Sequence, residues 1–171
     1  MQKNKAVFLD RDGVLNKDFV DYVWSAEKLF ILDGVSEALI KLKNAGYKLI
    51  VITNQSGIAK GIYKREDVVW VHEEIQRRTG VELDELYFCP YHEKYDTQSL
   101  IRKPSSLMIE RGIAKFNIDV EKSWMIGDHE RDIEAGKKVN LKTIRIADFS
   151  AETKADFTCP SLLDATTKIL N

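Results

Sequence analysis

Two carboxylates one residue apart, Asp10 and Asp12, directly follow the apolar run Ala6-Val7-Phe8-Leu9 and are themselves followed by Gly13. In an open α/β sheet, ligands sit just beyond the carboxyl ends of the strands, which is where such a pair would meet a substrate. Two acidic groups this close repel each other, and a divalent cation that prefers hard oxygen ligands, such as Mg²⁺, makes the arrangement favourable. Three further groups stand at comparable places: Thr53-Asn54-Gln55 after Ile52, Arg102-Lys103-Pro104, and Gly127-Asp128 after Ile126, with Asp132 one helical turn further on. Singly, each has an ordinary explanation in turn or helix-start chemistry. Gathered on one edge of one sheet, they are the parts needed for phosphoryl transfer from an unreactive monoester.

That reaction is among the slowest known without a catalyst, with accelerations of up to ~10²¹-fold, so several effects must act together. A carboxylate nucleophile, Asp10, divides the difficult step into two easier ones by taking the phosphoryl group. Asp12, two residues on, is placed to protonate the leaving oxygen and then to deprotonate water. The Thr53 hydroxyl, nearby backbone N–H groups and Lys103 are expected to hold the equatorial oxygens. Asp128, with Asp10 and the Asp12 carbonyl, completes the expected Mg²⁺ site. Asp132 is expected on the same helix face as Asp128, orienting that shell.

The elements that must position these groups are legible as an alternation. Continuous apolar runs at Ala6–Leu9, Leu49–Ile52, Leu86–Phe88, Trp124–Ile126 and Thr143–Ile146 read as strands buried on both faces. Between them lie helical stretches: one capped by Asp33 and stopped by Gly46, one over about 64–79 stopped by Gly80, one over about 106–116 that opens near Lys103-Pro104, one beginning just after Asp128, and one over 161–170. Right-handed crossovers then predict an α/β fold, a doubly wound parallel sheet. Residues 16–32 and 90–102 break the rhythm, and without repeats or linkers the chain reads as one domain over 1–171.

The length, 171 residues, suits one independent core. With 44% hydrophobic and 31% charged residues the composition is that of an ordinary globular protein, and a net charge of −1 offers no electrostatic case for nucleic acid or membrane. Met1-Gln2-Lys3-Asn4-Lys5 leaves no room for a signal peptide, and Cys89 and Cys159 read as reduced thiols. The expectation is a cytoplasmic monomer acting on a small phosphorylated molecule.

These motifs, in this order, resemble the haloacid dehalogenase superfamily of phosphatases over nearly the whole chain. Within it, Asp10-Arg11-Asp12-Gly13-Val14, the run Thr53 to Gly61 and Arg102-Lys103-Pro104 look like the D-glycero-D-manno-heptose 1,7-bisphosphate phosphatases, with histidinol-phosphate phosphatases as near relatives. The resemblance implies a Rossmann-like core without a large cap domain, Asp10 as nucleophile, Asp12 as acid/base, Thr53 and Lys103 on the phosphoryl group, and Asp10, Asp12 and Asp128 around Mg²⁺. The resemblance also implies Arg102 as a substrate contact; Asn54, Gln55 and Ser56 are further candidates for substrate binding, and His129 either contacts substrate or fills the loop. Members usually hold a structural zinc in the loop before Arg102 with three Cys and one His. Here only Cys89 stands at a ligand position, Tyr91 replaces the His, His92 is shifted by one, and residues around Leu100 replace two Cys. One Cys and one His cannot close a tetrahedral site, so structural zinc is expected to be absent. Ser105-Ser106-Leu107 after Lys103-Pro104, and His129 after Asp128, also depart from the usual pattern, at positions where substrate is read.

Other residues take plainer assignments. Arg11 reads as a structural ion-pairing residue, His72 as solvated helix surface, Cys89 as a small buried hydrophobe, and Trp70 and Trp124 as core. Tyr22 and Trp24 either pack the loop or line the entrance, and Arg77-Arg78 is too short for a nucleic-acid patch. Alternative leaving groups are histidinol, another sugar, or a polynucleotide 3′ end, which would need a cationic path. A phospho-acceptor signalling domain shares the acidic pair, hydroxyl and lysine, but would place its phosphorylated Asp near mid-chain. A binding protein without activity is countered by the completeness of the four motifs.

Overall fold

The computed structural model describes residues 3–19 and 21–171; Met1, Gln2 and Val20 lie outside it, so the readings on Met1-Gln2 and on Val20 within 16–32 are not addressed. The elements run β1 (Lys5–Leu9), α1 (Val35–Asn44), β2 (Tyr47–Asn54), α2 (Arg65–Thr79), β3 (Glu85–Cys89), α3 (Leu107–Phe116), β4 (Trp124–Gly127), α4 (Glu130–Lys137), β5 (Lys142–Ile146), β6 (Phe157–Cys159) and α5 (Leu162–Leu170). The six strands form one parallel sheet in the order β3-β2-β1-β4-β5-β6. This is the doubly wound arrangement, with its switch point between β1 and β4, where the chain stops adding strands on one side and starts on the other.

Side chains alternate across each strand, and here both faces are covered. Val7, Leu9, Leu49 and Val51 pack with Leu39, Val71, Ile75 and Leu162, residues of α1, α2 and α5. Ala6, Phe8, Ile50 and Ile52 pack with Met108, Ile109 and Ala135, residues of α3 and α4. This two-sided burial is why the strands read as unbroken apolar runs. Leu9 pairs in register with Val51 and with Ile126. The next residues along β1, β2 and β4 therefore emerge together at one edge, which brings Asp10, Thr53 and Asp128 to the switch point.

Several local details differ from the sequence reading. Strand β6 has only three residues and an exposed Phe157, too little apolar signal to stand out. Gly34, at φ 76°, rather than Asp33, is the N-cap of α1. Lys103-Pro104 does not open α3 but lies in the turn before it, since α3 begins at Leu107. Trp70 is on the exposed side of α2, 40% accessible, while His72 is buried beside Val71 and Ile75. The adjacent Glu73 and Glu74 suggested surface, yet it is the helical phase, set by Val68, Val71 and Ile75, that turns His72 inward. Trp124 and Cys89 are buried as read. Among the described residues, the link from β1 to α1 holds one 3₁₀ turn (Ala26–Lys28) and the link from β3 to α3 holds no helix or strand, so no large cap covers the sheet edge. No helix among them is long and apolar enough to cross a membrane.

Burial and the nearby Arg11 lower the His72 pKa from 6.5 to about 4. Between those values the unfolded chain binds a proton that the folded chain refuses, so this histidine subtracts stability as pH falls from about 6.5 toward 4. Going from pH 7 to pH 5, wild type should lose about 2 kcal/mol more unfolding free energy than His72→Gln. Urea titrations of both proteins at the two pH values measure that difference, and parallel losses would contradict a buried neutral imidazole.

Candidate active site

Lys103 is the centre of the site. Its ammonium is buried and makes three contacts: Asp10 Oδ1 at 2.9 Å, Asp132 Oδ1 at 2.7 Å, and the main-chain oxygen of Ile52 at 2.9 Å. An ammonium has three hydrogens to donate, so all are used. Asn54 holds this lysine from the end of β2: its Oδ1 accepts from Lys103 N at 3.0 Å and its Nδ2 donates to Lys103 O at 3.1 Å. The carboxamide thus grips the main chain on both sides of the residue.

Asp10 Oδ1 also accepts from the Arg11 N–H at 2.7 Å, and the Asp10 N–H continues the sheet ladder to Ile126 O at 2.9 Å. Among the described residues, Oδ2 has no such donor. Burial raises the Asp10 carboxyl to about 7; Lys103 opposes the rise, while the charges of Asp132 and Asp128 add to it. Asp10 and Asp132 thus share one buried ammonium while Asp128 adds a third negative charge near Asp10, a deficit of positive charge that a divalent cation would correct.

Asp12 is fixed by its neighbours. Arg11 meets both of its oxygens at 3.0 Å, Asn16 Nδ2 donates at 2.9 Å, and Gln55 Nε2 donates at 2.9 Å. Gln55 is the hub of this network: Nε2 also reaches Thr53 Oγ1 at 2.8 Å, and Oε1 accepts from Tyr63 OH at 2.7 Å and Arg11 at 3.2 Å. Gln55 is buried, so it orients Asp12 and Thr53 instead of presenting itself to a ligand as the motif had implied. Arg11 is the structural ion-pairing residue expected.

Asp128 approaches from β4. Its Oδ2 lies so close over Gly13, at φ 84°, that a Cβ there would sit 2.2 Å away, so both space and backbone require glycine. The contact brings the Asp128 carboxylate onto the Asp-x-Asp loop. Its Oδ1 is 2.8 Å from His129 Nδ1, and this hydrogen bond raises the His129 pKa. Asp132 is reached by Lys103 and accepts the His129 N–H at 3.0 Å, closing the first turn of α4. Asp128 precedes that helix, so the two do not share a helix face; Asp132 anchors the lysine. Gly127 permits this, because a Cβ there would meet Asp132 Cβ at 2.2 Å. Ligand atoms of Asp128, His129 and Asp132 lie within 4.8 Å of one another. The crowding of carboxylates at the Asp10 loop and the hard oxygen donors both fit Mg²⁺.

A cavity of about 230 Å³ opens onto these groups, lined by Asp10, Asp12, Asp18, Phe19, Tyr22, Thr53, Asn54, Ser56, Arg102 and Arg131. Of the residues singled out from the sequence, Asp10, Asp12, Thr53, Asn54, Ser56 and Arg102 are in this lining, and Lys103, Gln55, Asp128, His129 and Asp132 are not. Tyr22, left between packing and entrance, lines this cavity and also packs edge-on to Tyr63, with ring centroids 5.8 Å apart. Asp18 and Arg131 escaped the sequence reading; Arg131 adjoins Asp132, and its place in the first turn of α4 was the available signal. Loop 90–102 is held by Asp96 Oδ1, which accepts from the N–H groups of His92 and Thr97 at 2.8 and 2.7 Å, while Arg102 donates to Tyr91 O at 3.1 Å.

Comparison with known proteins gives a consistent picture. The family profile described as haloacid dehalogenase-like hydrolase matches residues 4–140. A D-glycero-beta-D-manno-heptose-1,7-bisphosphate 7-phosphatase of Photorhabdus laumondii is 39% identical over 93% of this chain and 92% of its own. A D-glycero-alpha-D-manno-heptose-1,7-bisphosphate 7-phosphatase of Burkholderia mallei is 39% identical over 82% of this chain and 78% of its own. The crystal structure of a D,D-heptose 1,7-bisphosphate phosphatase from B. bronchiseptica, complexed with magnesium and phosphate, superposes with a TM-score of 0.86 at 25% identity, covering 97% of this chain and 98% of that one.

Removing the Lys103 charge should leave two buried carboxylates without their counter-ion. Lys103→Met is expected to lower unfolding stability by about 3–5 kcal/mol, read from urea denaturation in EDTA. A variant as stable as wild type would mean that the ammonium is not what holds these carboxylates.

Proposed function

Because the chain belongs to the haloacid dehalogenase-like hydrolases, we propose that it is a magnesium-dependent phosphatase that hydrolyses a small sugar phosphate through an aspartyl-phosphate on Asp10. The preferred substrate in this reading is D-glycero-D-manno-heptose 1,7-bisphosphate, the compound for which its relatives are named. The observation that carries the reading is Asp10 itself: a buried carboxylate lining a cavity, with one oxygen held by Lys103 and the Arg11 N–H.

With Oδ1 engaged, Oδ2 is the oxygen left to attack phosphorus, and the sugar oxygen leaves as the new Asp10–phosphorus bond forms. Asp12 gives its proton to that oxygen. In the second half it takes a proton from water, which attacks phosphorus, releases phosphate and restores the Asp10 carboxylate. Arg11, Asn16 and Gln55 keep Asp12 aimed at the cavity. Thr53 Oγ1, oriented by Gln55, is placed to bind an equatorial oxygen. Asp10, the Asp12 carbonyl and Asp128 would hold Mg²⁺, which when bound supplies positive charge to offset repulsion between carboxylate and phosphate. Asn54 and Asp132 act through Lys103, whose position they determine.

Loop 90–102 needs no structural zinc in this reading, because hydrogen bonds from Asp96 and Arg102 organise it and Cys89 is buried against Tyr91 O. One zinc per purified chain by metal analysis would overturn that part. A histidinol phosphatase is the second reading, and the names of the relatives favour the heptose.

Purified protein with Mg²⁺ should release phosphate from heptose 1,7-bisphosphate, and EDTA should stop it. Asp10→Asn should reduce release at least ~10⁴-fold, since the covalent route is closed. Full activity in that variant would remove Asp10 as nucleophile.

A further inference from the structure

Strand β3 ends the sheet: among the described residues it pairs with β2 on one side and with no strand on the other. The Cys89 carbonyl accepts from the Gln55 N–H at 2.7 Å, so the main-chain groups of Cys89 face β2. Successive residues of a strand turn these groups to alternate sides, so Glu85 and Tyr87 also face β2 while Leu86 and Phe88 face outward. The Leu86 N–H accordingly meets the Glu85 side chain, Oε1 at 3.2 Å, and that carboxylate is paired with Lys115.

A cavity of about 490 Å³, separate from the one that Asp10 lines, borders this edge and touches Glu85, Leu86, Tyr87 and Phe88 in succession. Neighbouring side chains of a strand point to opposite faces of the sheet, so a cavity that meets all four lies beside the strand and not on one face. Arg65, the first residue of α2, lines it from one face, and Met108, Arg111 and Lys115, a single stripe of α3, line it from the other. The Arg111 guanidinium lies 5.1 Å from the Tyr87 ring centre, and that of Arg65 lies 5.8 and 5.9 Å from those of Phe88 and Tyr91. Among the described residues neither arginine is paired with a carboxylate; Arg65 reaches the Tyr91 hydroxyl at 3.5 Å.

A lone charge such as Glu85 is an ordinary guard against unwanted pairing at a sheet edge. Here that guard is outnumbered by Arg65, Arg111 and Lys115, which leave the groove positive. Guanidinium groups laid on aromatic rings, next to outward main-chain groups, match a strand that brings carboxylates with it. We propose that this edge binds an acidic, extended segment of another protein, which joins the sheet beside β3. The Leu86 N–H passes from Glu85 to a carbonyl of the incoming strand, Phe88 supplies the next main-chain pairing, and the incoming carboxylates meet Arg65 and Arg111. A second copy of this chain does not fit the groove, because a two-fold axis through the edge would set one cationic groove against another.

Fluorescence anisotropy of the full chain, titrated against a fluorescein-labelled peptide of alternating glutamate and valine, tests the proposal. Saturable binding is expected at low salt, weakened at least ~10-fold by Arg111→Glu, which sets like charges together. Phe88→Pro removes an outward N–H and leaves the ladder to β2 in place, and should also weaken binding at least ~10-fold. The same peptide N-methylated at alternate residues should lose as much on wild type, and carries the main-chain test should Phe88→Pro not fold. Absence of saturable binding overturns the proposal, as does an affinity unchanged by Arg111→Glu or unchanged by N-methylation. Equal binding of a peptide with lysine in place of glutamate overturns it too. Self-association in sedimentation that Arg111→Glu abolishes would assign the edge to a second copy and overturn it as well.

Discussion

A buried ammonium can be sustained only if every hydrogen finds an acceptor, and Lys103 finds three on three different elements. Asp10 follows β1, the Ile52 carbonyl belongs to β2, and Asp132 lies in α4. The lysine comes from the turn before α3, so one side chain ties together four pieces of chain that are far apart in sequence. The site and this part of the fold are therefore the same object. The Asp10 carboxyl is raised because it is buried, and it can be buried because Lys103 is there. The doubly wound sheet contributes the geometry: its switch point leaves a crevice between β1 and β4, into which the residues after both strands project.

Around that centre the polar residues divide into those that face the cavity and those that hold them. Gln55 belongs to the second group, linking Asp12, Thr53, Arg11 and Tyr63 through one carboxamide. Its burial means that each bond is made in a low-dielectric setting, where a misplaced partner is costly. Glycines at 13 and 127 have the complementary role of letting carboxylates come close to the main chain. The Asp-x-Asp-Gly and Gly-Asp motifs are thus as much about space as about charge.

Much of this was legible in the sequence, for identifiable reasons. The five longer strands announced themselves because both sheet faces are covered, which makes runs such as Leu49–Ile52 wholly apolar. Asp10, Thr53 and Asp128 were legible because each follows such a run, and Lys103 because Lys-Pro marks the approach to a helix. What escaped depends on contacts between distant residues. Whether Gln55 faces a ligand or the interior is decided by Tyr63 and Arg11, and no local pattern encodes that. His72 looked exposed because its neighbours in sequence are charged, although the helix turns it toward the core. Strand β6 has three residues and pairs only with β5, so its evidence lies in its partner. Arg131 carries no motif of its own; its meaning comes from the cavity it borders.

The Asn54 carboxamide pairs with the N–H and C=O of Lys103 much as a neighbouring strand would, so the turn that carries the lysine is docked by its main chain and not only by its charge. The segment leading into that turn is thereby relieved of the task of positioning it. Residues 90–102 are organised by hydrogen bonds around Asp96 and from Arg102, and that internal scaffold can change without displacing the ammonium at the centre of the site. The amide acts as a firewall between a stretch of chain that is free to diverge and a reaction centre that is not.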